Sequence, residues 1–181
     1  MPVGNSLKNN SVPSRDKEMI LRKTQPCDGS QIHALVKNCK PLDLNSVYSY
    51  LLLCQHFADT CVVAEIEGHI VAFLSGYIPP SRRNVLFVWQ IAVDGKWRGQ
   101  GLGKRLLNEV LHRNFCRHCC FLETTITPSN DASWNLFRSV ARDLNAPCQE
   151  SICFSEKHFG QKHHEAEYMF RIGPFDANWV K

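Results

Sequence analysis

The sequence predicts a single α/β domain with a mixed central sheet of about six to seven strands, flanked by about four helices. The chain has 181 residues, and 44% of them are hydrophobic, which suits one globular domain with a substantial core. Strand-type and helix-type apolar periodicities follow one another in the order β-α-α-β-β-β-α-β-α-β-β. No internal repeat or interdomain linker interrupts that order, so one domain accounts for the whole pattern.

The first elements are a strand and two helices. Residues Met19 to Thr24 form a short apolar-basic run that predicts the first strand. Helical spacing of Ile, Leu and Val predicts a helix over Ser30 to Cys39. Turn formers then precede a second helical pattern that starts near Val47, and we expect Asp43 or Asn45 to cap it.

A hairpin and a central strand come next. Two β-rich runs surround Glu67 and Gly68, a pair of residues typical of a tight hairpin turn. The loop at 79–84 leads into Val85 to Val93, which is nearly all apolar. That composition predicts a central strand buried on both faces.

The second half alternates helix and strand. We expect a helix from about Leu102 to Phe115, then a strand from Cys119 to Thr127. The following helix has its apolar positions at Ala132, Leu136, Phe137, Val140 and Leu144. A strand, an irregular connection and a last strand fill 147–171. We interpret the polar residues 1–18 as a mobile tail. Residues 19–175 are then the folded domain, and 176–181 a C-terminal tail.

Composition excludes several classes of protein. The net charge of +4 comes from scattered basic residues, so we expect no nucleic-acid partner. No apolar run is long enough to span a membrane, and the N-terminal residues lack a secretory signal, so we expect a cytoplasmic protein without a membrane partner. The nine cysteines are then reduced thiols, with Cys54, Cys61, Cys120 and Cys153 in the core. The cluster Cys116-Arg-His-Cys119-Cys120 lacks a second ligand pair, so we expect no metal.

The segment WRGQGLGKRLL, residues 97–107, indicates a phosphate-binding turn. A buried strand that runs into a glycine-rich turn and then a helix directs free backbone N–H groups at one point, where phosphates bind. The segment lacks the Gly-Lys-Ser/Thr of a P-loop. Its glycines are spaced G-x-G-x-G and lie deep in the chain, unlike those of a dinucleotide fold.

Arg98, Gly101 and Gly103 match the form Arg/Gln-x-x-Gly-x-Gly/Ala. This loop resembles the acetyl-CoA pyrophosphate loop of the GCN5-related N-acetyltransferase family, and the element order from 19 to 171 resembles that fold. The resemblance implies that acetyl-CoA is the co-substrate and that the strand before the loop pairs with its pantetheine arm. The implied acetyl-CoA residues are Ile91, Ala92, Val93, Arg98, Gly99, Gln100, Gly101, Leu102, Gly103, Lys104, Asn130 and Asn135.

Four stretches narrow the resemblance. They are PLDLNSVYSYLLLCQHFADTCVVAE, FVWQIAVDGKWRGQGLGKRLL, LETTITPSNDASWNLF and HHEAEYMFRIGP. Together they resemble the diaminobutyrate acetyltransferase family. In that family the enzyme belongs to ectoine biosynthesis, a pathway that makes a compatible solute under osmotic stress. The resemblance implies a small diamine substrate, acetylated on its γ-amine in a ternary complex, and a homodimer. Two alternatives remain: an acetyltransferase for another small amine, such as a polyamine, an antibiotic or a peptide N-terminus, and a non-catalytic acetyl-CoA-binding regulator.

A site for a diamine with one carboxylate needs acidic side chains to bind the amines and a hydrogen-bond donor to bind the carboxylate. It must also fix how deep the substrate enters. The candidate substrate residues are Asp43, Asn45, Tyr48, Trp89, Gln90, Glu123, Thr124 and Thr125. Asp43 is alternatively only a helix cap, and Tyr48 a core residue. Trp89 either packs in the core or covers an ammonium group by cation–π attraction. Glu123 is functional or paired, because an isolated charge in a central strand is costly.

Acyl transfer needs a neutral amine and therefore a base. We expect Glu156 in that role, helped by His158 or water, with the alternative that both lie in a surface loop. His163, His164 and Glu165 are expected in a solvated turn. Backbone N–H groups of 91–93 would stabilise the oxyanion. Many family members place a Tyr, as acid for the thiolate, where this chain has Phe137, so water is the expected donor.

Overall fold

The structure is a computed structural model that describes residues 18–160 and 164–176. The expected N-terminal and C-terminal tails lie outside the described residues, except for Glu18 and Asp176, and so does His163. The limits of the domain therefore stay a prediction.

The fold is a seven-stranded mixed sheet with four α-helices, as predicted. The sheet order is β1-β2-β3-β4-β5-β7-β6, and among the described residues only β4 and β5 pair in parallel. The strands are β1 Met19–Lys23, β2 Val62–Ile66, β3 His69–Tyr77, β4 Val85–Val93, β5 Phe121–Ile126, β6 Cys148–Phe154 and β7 Glu167–Ile172. The helices are α1 Gly29–Lys37, α2 Val47–His56, α3 Leu102–Leu111 and α4 Asp131–Asp143.

Two apolar cores hold the helices against opposite faces of the sheet. One core joins α3 and α4 to residues of strands β2 to β5 and β7. The other joins α1 and α2 to Val63, Phe73 and Ala92. Alternate residues of β2, Val62 and Val63, belong to different cores, as the two-residue period of a strand requires. Among the helices of the described residues, none is long and apolar enough to cross a membrane.

The β2–β3 hairpin turns where the sequence predicted it. Glu67 and Gly68 both have positive φ, at 50° and 79°. Two residues of that conformation form a type I′ turn, whose twist matches that of the flanking strands. Gly68 accommodates this conformation without strain, and nothing lies within 4 Å of where its Cβ would be.

A β-bulge at Trp89 divides β4 into two halves. Gln90 pairs with Ser75 of β3, whereas Val88 pairs with Gly76, so Trp89 is one extra residue on β4. Val88 and Ile91 therefore both face the α3/α4 core. The prediction that this strand is buried on both faces is confirmed except at Trp89, which is 44% exposed, since Val88 belongs to one core and Ala92 to the other. The extra residue interrupts the alternation that buries its neighbours.

The strands β4 and β5 separate beyond the bulge. Their parallel pairing covers only Val85 to Val88 on β4 and Phe121 to Thr124 on β5. The second half of β4 thus has a partner on one side only, β3. Because backbone groups alternate in direction along a strand, every second N–H of this half points into the opening.

Helix α3 is shorter than predicted. It ends at Leu111 rather than Phe115, because the apolar stripe ends there and Phe115 is 50% exposed. Ala132 of α4 is exposed rather than in the core, since it faces a cleft described below. Cys54 and Cys61 are buried as expected, but Cys120 and Cys153 are only partly buried, because they lie in a loop before β5 and on the edge strand β6.

Helix α2 is capped by Ser46, not by Asp43 or Asn45. The Ser46 hydroxyl accepts a hydrogen bond from the Ser49 backbone N–H at 3.2 Å. Ser46 has extended backbone and directly precedes the first helical residue, Val47, so its oxygen is in reach of the free N–H groups. Asp43 is three residues too early, which leaves its carboxylate available for another role.

We expect Ser46→Ala to lower the free energy of unfolding by about 1 kcal/mol, because the Ser49 N–H loses its partner. The matched variant Asp43→Ala should change it by less than about 0.5 kcal/mol, since its carboxylate is largely exposed. Urea denaturation monitored by circular dichroism measures both. A larger loss for Asp43→Ala than for Ser46→Ala would restore Asp43 as the cap.

Candidate active site

The loop between β4 and α3, which we call the glycine loop, contains two glycines with left-handed backbone conformation. Gly99 and Gly101 have φ of 74° and 73°, and no atom lies within 4 Å of where either Cβ would be. Gly101 is the N-cap of α3 and has no side chain to offer the first turn. The first N–H groups of α3 therefore stay free, at the positive end of the helix dipole. This is the geometry of an anion site.

Gly103 is required for close packing instead. A Cβ at this position would come within 3.2 Å of Leu136 on α4 and 3.6 Å of Ile91 on β4. The absence of a side chain lets the start of α3 approach both elements. The loop, the second half of β4 and the start of α4 are thereby held around one cleft.

The cleft has a volume of about 300 Å³ and lies where β4 and β5 separate. Its walls come from the α1–α2 loop, from β4, from the glycine loop and from α4. It brings together most of the residues expected to bind acetyl-CoA, namely Ile91, Val93, Arg98, Gly99, Gly101, Leu102, Gly103, Lys104 and Asn130. Other residues that line the cleft include Cys39, Ser133 and Leu136.

Three of the expected acetyl-CoA residues lie elsewhere. Ala92 is in the α1/α2 core. Gln100 is exposed, and its side-chain amide donates to the Lys96 carbonyl at 3.1 Å. Asn135 lines a separate depression beside Trp134 and Arg138, because it lies on a different face of α4 from the residues that line the cleft.

The backbone of β4 offers N–H groups to the cleft at alternate residues. The Asp94 N–H donates to the Val71 carbonyl at 2.9 Å, so by alternation Ala92 pairs with Phe73 of β3. The N–H groups of Ile91 and Val93 point the other way, into the opening. The expected oxyanion donors thus reduce to these two residues, and the expectation for Ala92 is wrong.

Side chains of the loop are anchored to their surroundings. Arg98 donates from Nε to the Val93 carbonyl at 2.9 Å, and the Cys39 thiol donates to the same oxygen at 3.4 Å. Lys104 pairs with Asp143 and contacts the Ser139 hydroxyl at 3.1 Å. Asn130 caps α4 by accepting from the Ser133 N–H at 3.2 Å. Each of these contacts fixes one wall of the cleft.

The α1–α2 loop presents a carboxylate beside the cleft. The side chain of Asp43 is 83% exposed and lies 3.6 Å from Nε2 of His164. Its backbone carbonyl accepts a hydrogen bond from Gln90 at 2.8 Å, so the loop is tied to β4. Asn45, partly buried, follows in the same loop, and Tyr48, at the start of α2, is 67% exposed rather than a core residue.

A second carboxylate lies across from Asp43, at the start of β7. Burial raises the pKa of Glu167 above its ordinary value, against a hydrogen bond from the Thr125 hydroxyl and the charge of His164, which lower it. Asp43 and Glu165 are close enough to raise it further. A carboxylate of raised pKa is a better proton acceptor near neutral pH than an ordinary one.

His164 joins the two carboxylates. Its Nδ1 donates to the Glu165 carbonyl at 2.7 Å, which raises the pKa of the His164 imidazole, and Asp43 and Glu167 raise it further. Its ring stacks on Phe159, with centroids 3.9 Å apart. The Glu165 carboxylate in turn accepts from the Ser129 N–H at 3.1 Å and from its hydroxyl. Glu165 is exposed, as expected for a solvated turn, whereas His164 is partly buried and lies beside Asp43. Their polar contacts are long-range and leave no local pattern.

Glu123 is paired, one of the two alternatives open from the sequence. It is 1% exposed, and both of its oxygens accept from Arg82, at 2.6 and 2.7 Å, while Arg171 binds the same carboxylate. Thr124, next to it, is buried as well. The arginines compensate the buried charge, so the carboxylate is committed to the fold. Of the predicted residues on β5, Thr125 is the one beside Glu167.

Glu156 and His158 lie on a short 3₁₀ helix, Glu156–Phe159, after β6. Glu156 is exposed, and the Nδ1 of His158 accepts from the Ser155 N–H at 3.0 Å. Neither residue lines the cleft. The residues from this end of the chain that lie near Asp43 are His164 and Glu167 instead.

Phe137 is 3% exposed in the α3/α4 core and offers no proton. Ser133, one turn earlier on α4, lines the cleft with a hydroxyl. All nine cysteines are free thiols, most of them buried. Across residues 18–160 and 164–176, no group of three or more His, Cys, Asp or Glu side chains could hold a metal ion.

Comparison with known proteins assigns the family. A sequence model described as the acetyltransferase (GNAT) family matches residues 30–141. The L-2,4-diaminobutyric acid acetyltransferase of Bordetella parapertussis is 49% identical over 156 residues, which are 86% of this chain and 84% of that protein. That of Halalkalibacterium halodurans is 45% identical over 159 residues, 88% of this chain and 84% of that protein.

A solved structure agrees with these relatives. It is a diaminobutyrate acetyltransferase from Paenibacillus lautus in complex with its substrate L-2,4-diaminobutyric acid and coenzyme A. It superposes with a TM-score of 0.85 and 37% sequence identity, over 91% of this chain and 98% of that chain. The chain therefore belongs to the acetyltransferase (GNAT) family, and within it to the L-2,4-diaminobutyric acid acetyltransferases.

Proposed function

We propose that this chain transfers the acetyl group of acetyl-CoA to the γ-amine of L-2,4-diaminobutyrate, giving N4-acetyl-L-2,4-diaminobutyrate and coenzyme A. The observation that carries the proposal is the pairing of two half-sites at one opening in the sheet. An anion-binding glycine loop lies on one side, and a cluster of carboxylates, Asp43 and Glu167, lies on the other. The first suits the pyrophosphate of acetyl-CoA, and the second suits a diamine.

Acetyl-CoA lies in the cleft with its pyrophosphate on the first turn of α3. The free N–H groups there and the nearby Arg98 compensate the negative charge. The thioester then reaches the open half of β4, where Ile91 and Val93 direct N–H groups into the cleft. As the amine attacks the thioester carbon, negative charge develops on its oxygen, and these donors stabilise it.

The diamine enters on the side of the α1–α2 loop. Asp43 binds one ammonium group, with His164 behind it at 3.6 Å. Trp89, 44% exposed at the bulge, offers a ring face to an ammonium group, and we propose that Tyr48 and Asn45, which follow Asp43 in the chain, also contact the diamine. In the proposed mechanism the amine attacks the thioester carbon directly in a ternary complex, and the coenzyme A thiolate leaves without an acetyl-enzyme intermediate.

Glu167 is the base. An amine with a pKa of about 10.4 is almost fully protonated at pH 7, so deprotonation costs about 4–5 kcal/mol. Glu167 is partly buried, and its raised pKa narrows that gap, whereas Glu156 is exposed and lies outside the cleft lining. We therefore assign the base to Glu167 in place of Glu156. The departing thiolate takes a proton from water or from the Ser133 hydroxyl.

A homodimer is part of the proposal. Within the part of the chain that the structure describes, the edge strand β6 pairs with β7 on one side only, and all of its residues except Cys153 are exposed. It carries Ile152 and Phe154, which are 61% and 47% exposed. An exposed apolar edge strand favours pairing with another chain. Sedimentation equilibrium measures the oligomeric state.

The free state of all nine thiols favours the reducing cytoplasm as the compartment.

The substrate prediction is tested by release of free coenzyme A thiol with a panel of amines. We expect kcat/KM for L-2,4-diaminobutyrate to exceed that for ornithine and lysine by about 100-fold, because an error of ~1 Å in the position of the nucleophile costs about that much. NMR of the product should show acetylation at Nγ. Acetylation mainly at Nα, or a preference for polyamines or peptides, would contradict the proposal.

Gly101→Val should raise the KM for acetyl-CoA about tenfold or more, because its side chain would occupy the space in front of the free N–H groups. The matched control is Gly68→Val, which imposes the same left-handed backbone on a Val, φ 79° against 73°, at a remote hairpin. Steady-state kinetics of both variants separate the two effects. An equal rise of this KM in Gly68→Val would show that strain, rather than pyrophosphate binding, is responsible.

Glu167→Gln should lower kcat about 100-fold at pH 7, since the amine loses its proton acceptor. The deficit should shrink as the pH rises towards 9, because free amine becomes available without a base. Glu156→Gln is the matched variant and should retain kcat within about twofold. The pH profile of kcat measures this, and the reverse ranking of the two variants would return the role to Glu156.

A further inference from the structure

A chain of buried and partly buried hydrogen bonds links the bulged strand to the loop that carries Asp43. The side-chain amide of Gln90 donates from Nε2 to the Asp43 carbonyl at 2.8 Å. The Tyr50 hydroxyl donates to Oε1 of Gln90 at 3.3 Å. The same hydroxyl accepts from the Asn45 N–H at 3.4 Å. We name this set, Gln90, Tyr50 and the backbone of Asp43 and Asn45, the loop relay.

The relay is buried and almost fully satisfied. Tyr50 is 0% exposed and Gln90 is 6% exposed. The Tyr50 ring packs edge-on against Phe73, with centroids 6.1 Å apart, and so cannot move with the loop. Only one orientation of the Gln90 amide satisfies both neighbours, with nitrogen toward the carbonyl and oxygen toward the hydroxyl. A buried polar chain of this kind specifies one arrangement of its members.

The relay holds the loop at two backbone points that bracket Leu44. Asp43 is held through its carbonyl and Asn45 through its N–H, while the Asp43 carboxylate stays 83% exposed. The loop at 41–46 has no regular secondary structure of its own. The position of that carboxylate relative to β4 therefore depends on Gln90, which follows the bulge residue Trp89 directly.

We propose that Gln90 and Tyr50 are positioning residues that set where the ammonium-binding carboxylate of Asp43 lies relative to the thioester. The proposal rests on the proposed function, because it assigns Asp43 to the amine. Gln90 then acts through the loop rather than by touching substrate, unlike the direct contact expected from the sequence. The relay thereby contributes to selection of chain length among diamino acids, since the distance from Asp43 to β4 sets how deep the amine reaches.

Tyr50→Phe tests the relay by removing one oxygen while keeping the ring. We expect the KM for L-2,4-diaminobutyrate to rise about three- to tenfold, the range for loss of a neutral buried hydrogen bond. The KM for acetyl-CoA should stay within about twofold. The preference for L-2,4-diaminobutyrate over ornithine should fall. Equal changes in both KM values, or none in either, would overturn the proposal.

Arg113→Met controls for general loss of stability. Arg113 donates to the carbonyls of Ala58, Asp59 and Cys61, at the far end of α2. This variant should lower the midpoint of urea denaturation without changing the ratio of the two KM values. If it shifts that ratio as Tyr50→Phe does, the effect comes from stability and the relay has no positioning role.

Gln90→Met, of similar volume, removes the other side-chain member. If the relay acts as one unit, the double variant with Tyr50→Phe should raise the diamine KM no more than about twofold beyond the larger single effect. A product of the two single effects would mean that the residues act independently. Asp43→Ala provides the scale for these effects. It should raise the diamine KM about 10- to 150-fold, because the ammonium group loses a charged partner.

Hydrogen exchange keeps the relay testable apart from the substrate. Loss of the Tyr50 hydroxyl frees the Asn45 N–H, so the amides at 41–46, of which Pro41 has none, should exchange faster in Tyr50→Phe, while those of β2 and β3 do not change. Unchanged exchange at 41–46 would overturn the relay. If the wild-type enzyme rejects L-2,4-diaminobutyrate but exchange at 41–46 responds, the proposed substrate is wrong and the relay stands.

Discussion

One extra residue in β4 determines the arrangement of the site. The bulge at Trp89 reverses which face of the sheet each side chain meets, so Val88 and Ile91 both face the α3/α4 core. Gln90 points to the opposite side, toward Tyr50 and the α1–α2 loop. Parallel pairing with β5 ends just before the bulge, so the following backbone is open on one side. The cleft borders this open backbone, since Ile91 and Val93 both line it.

The opening has two chemically distinct sides. Glycines and free N–H groups form the anion-binding side, because the chain there has left-handed turns and no cap from a side chain. Carboxylates lie on the other side, where the charges of Asp43 and Glu167 both act on the imidazole of His164 and raise its pKa. This separation suits a reaction between a polyanionic acyl donor and a cationic acceptor, since each substrate has one side on which its charge is favourable.

Buried polar groups in this protein are divided between holding the fold and holding the site. Glu123 is the charge in the middle of the sheet, and Arg82 and Arg171 commit it to structure. Gln90 is committed to the loop by two hydrogen bonds. Glu167 keeps an unusual pKa because burial outweighs its favourable contacts. This raised proton affinity is the property for which Glu167 is proposed as the base.

The sequence alone determined the α/β class, the hairpin at Glu67-Gly68 and the glycine loop, because each depends on neighbours a few residues apart. Its resemblance to a family also indicated the substrates. Only the tertiary structure decided the helix cap at Ser46, the pairing of Glu123 and the direction of Gln90. It also brought His164 and Glu167 to Asp43, more than 120 residues away in the chain. Such contacts depend on strand register and on one bulge, and no local periodicity encodes either.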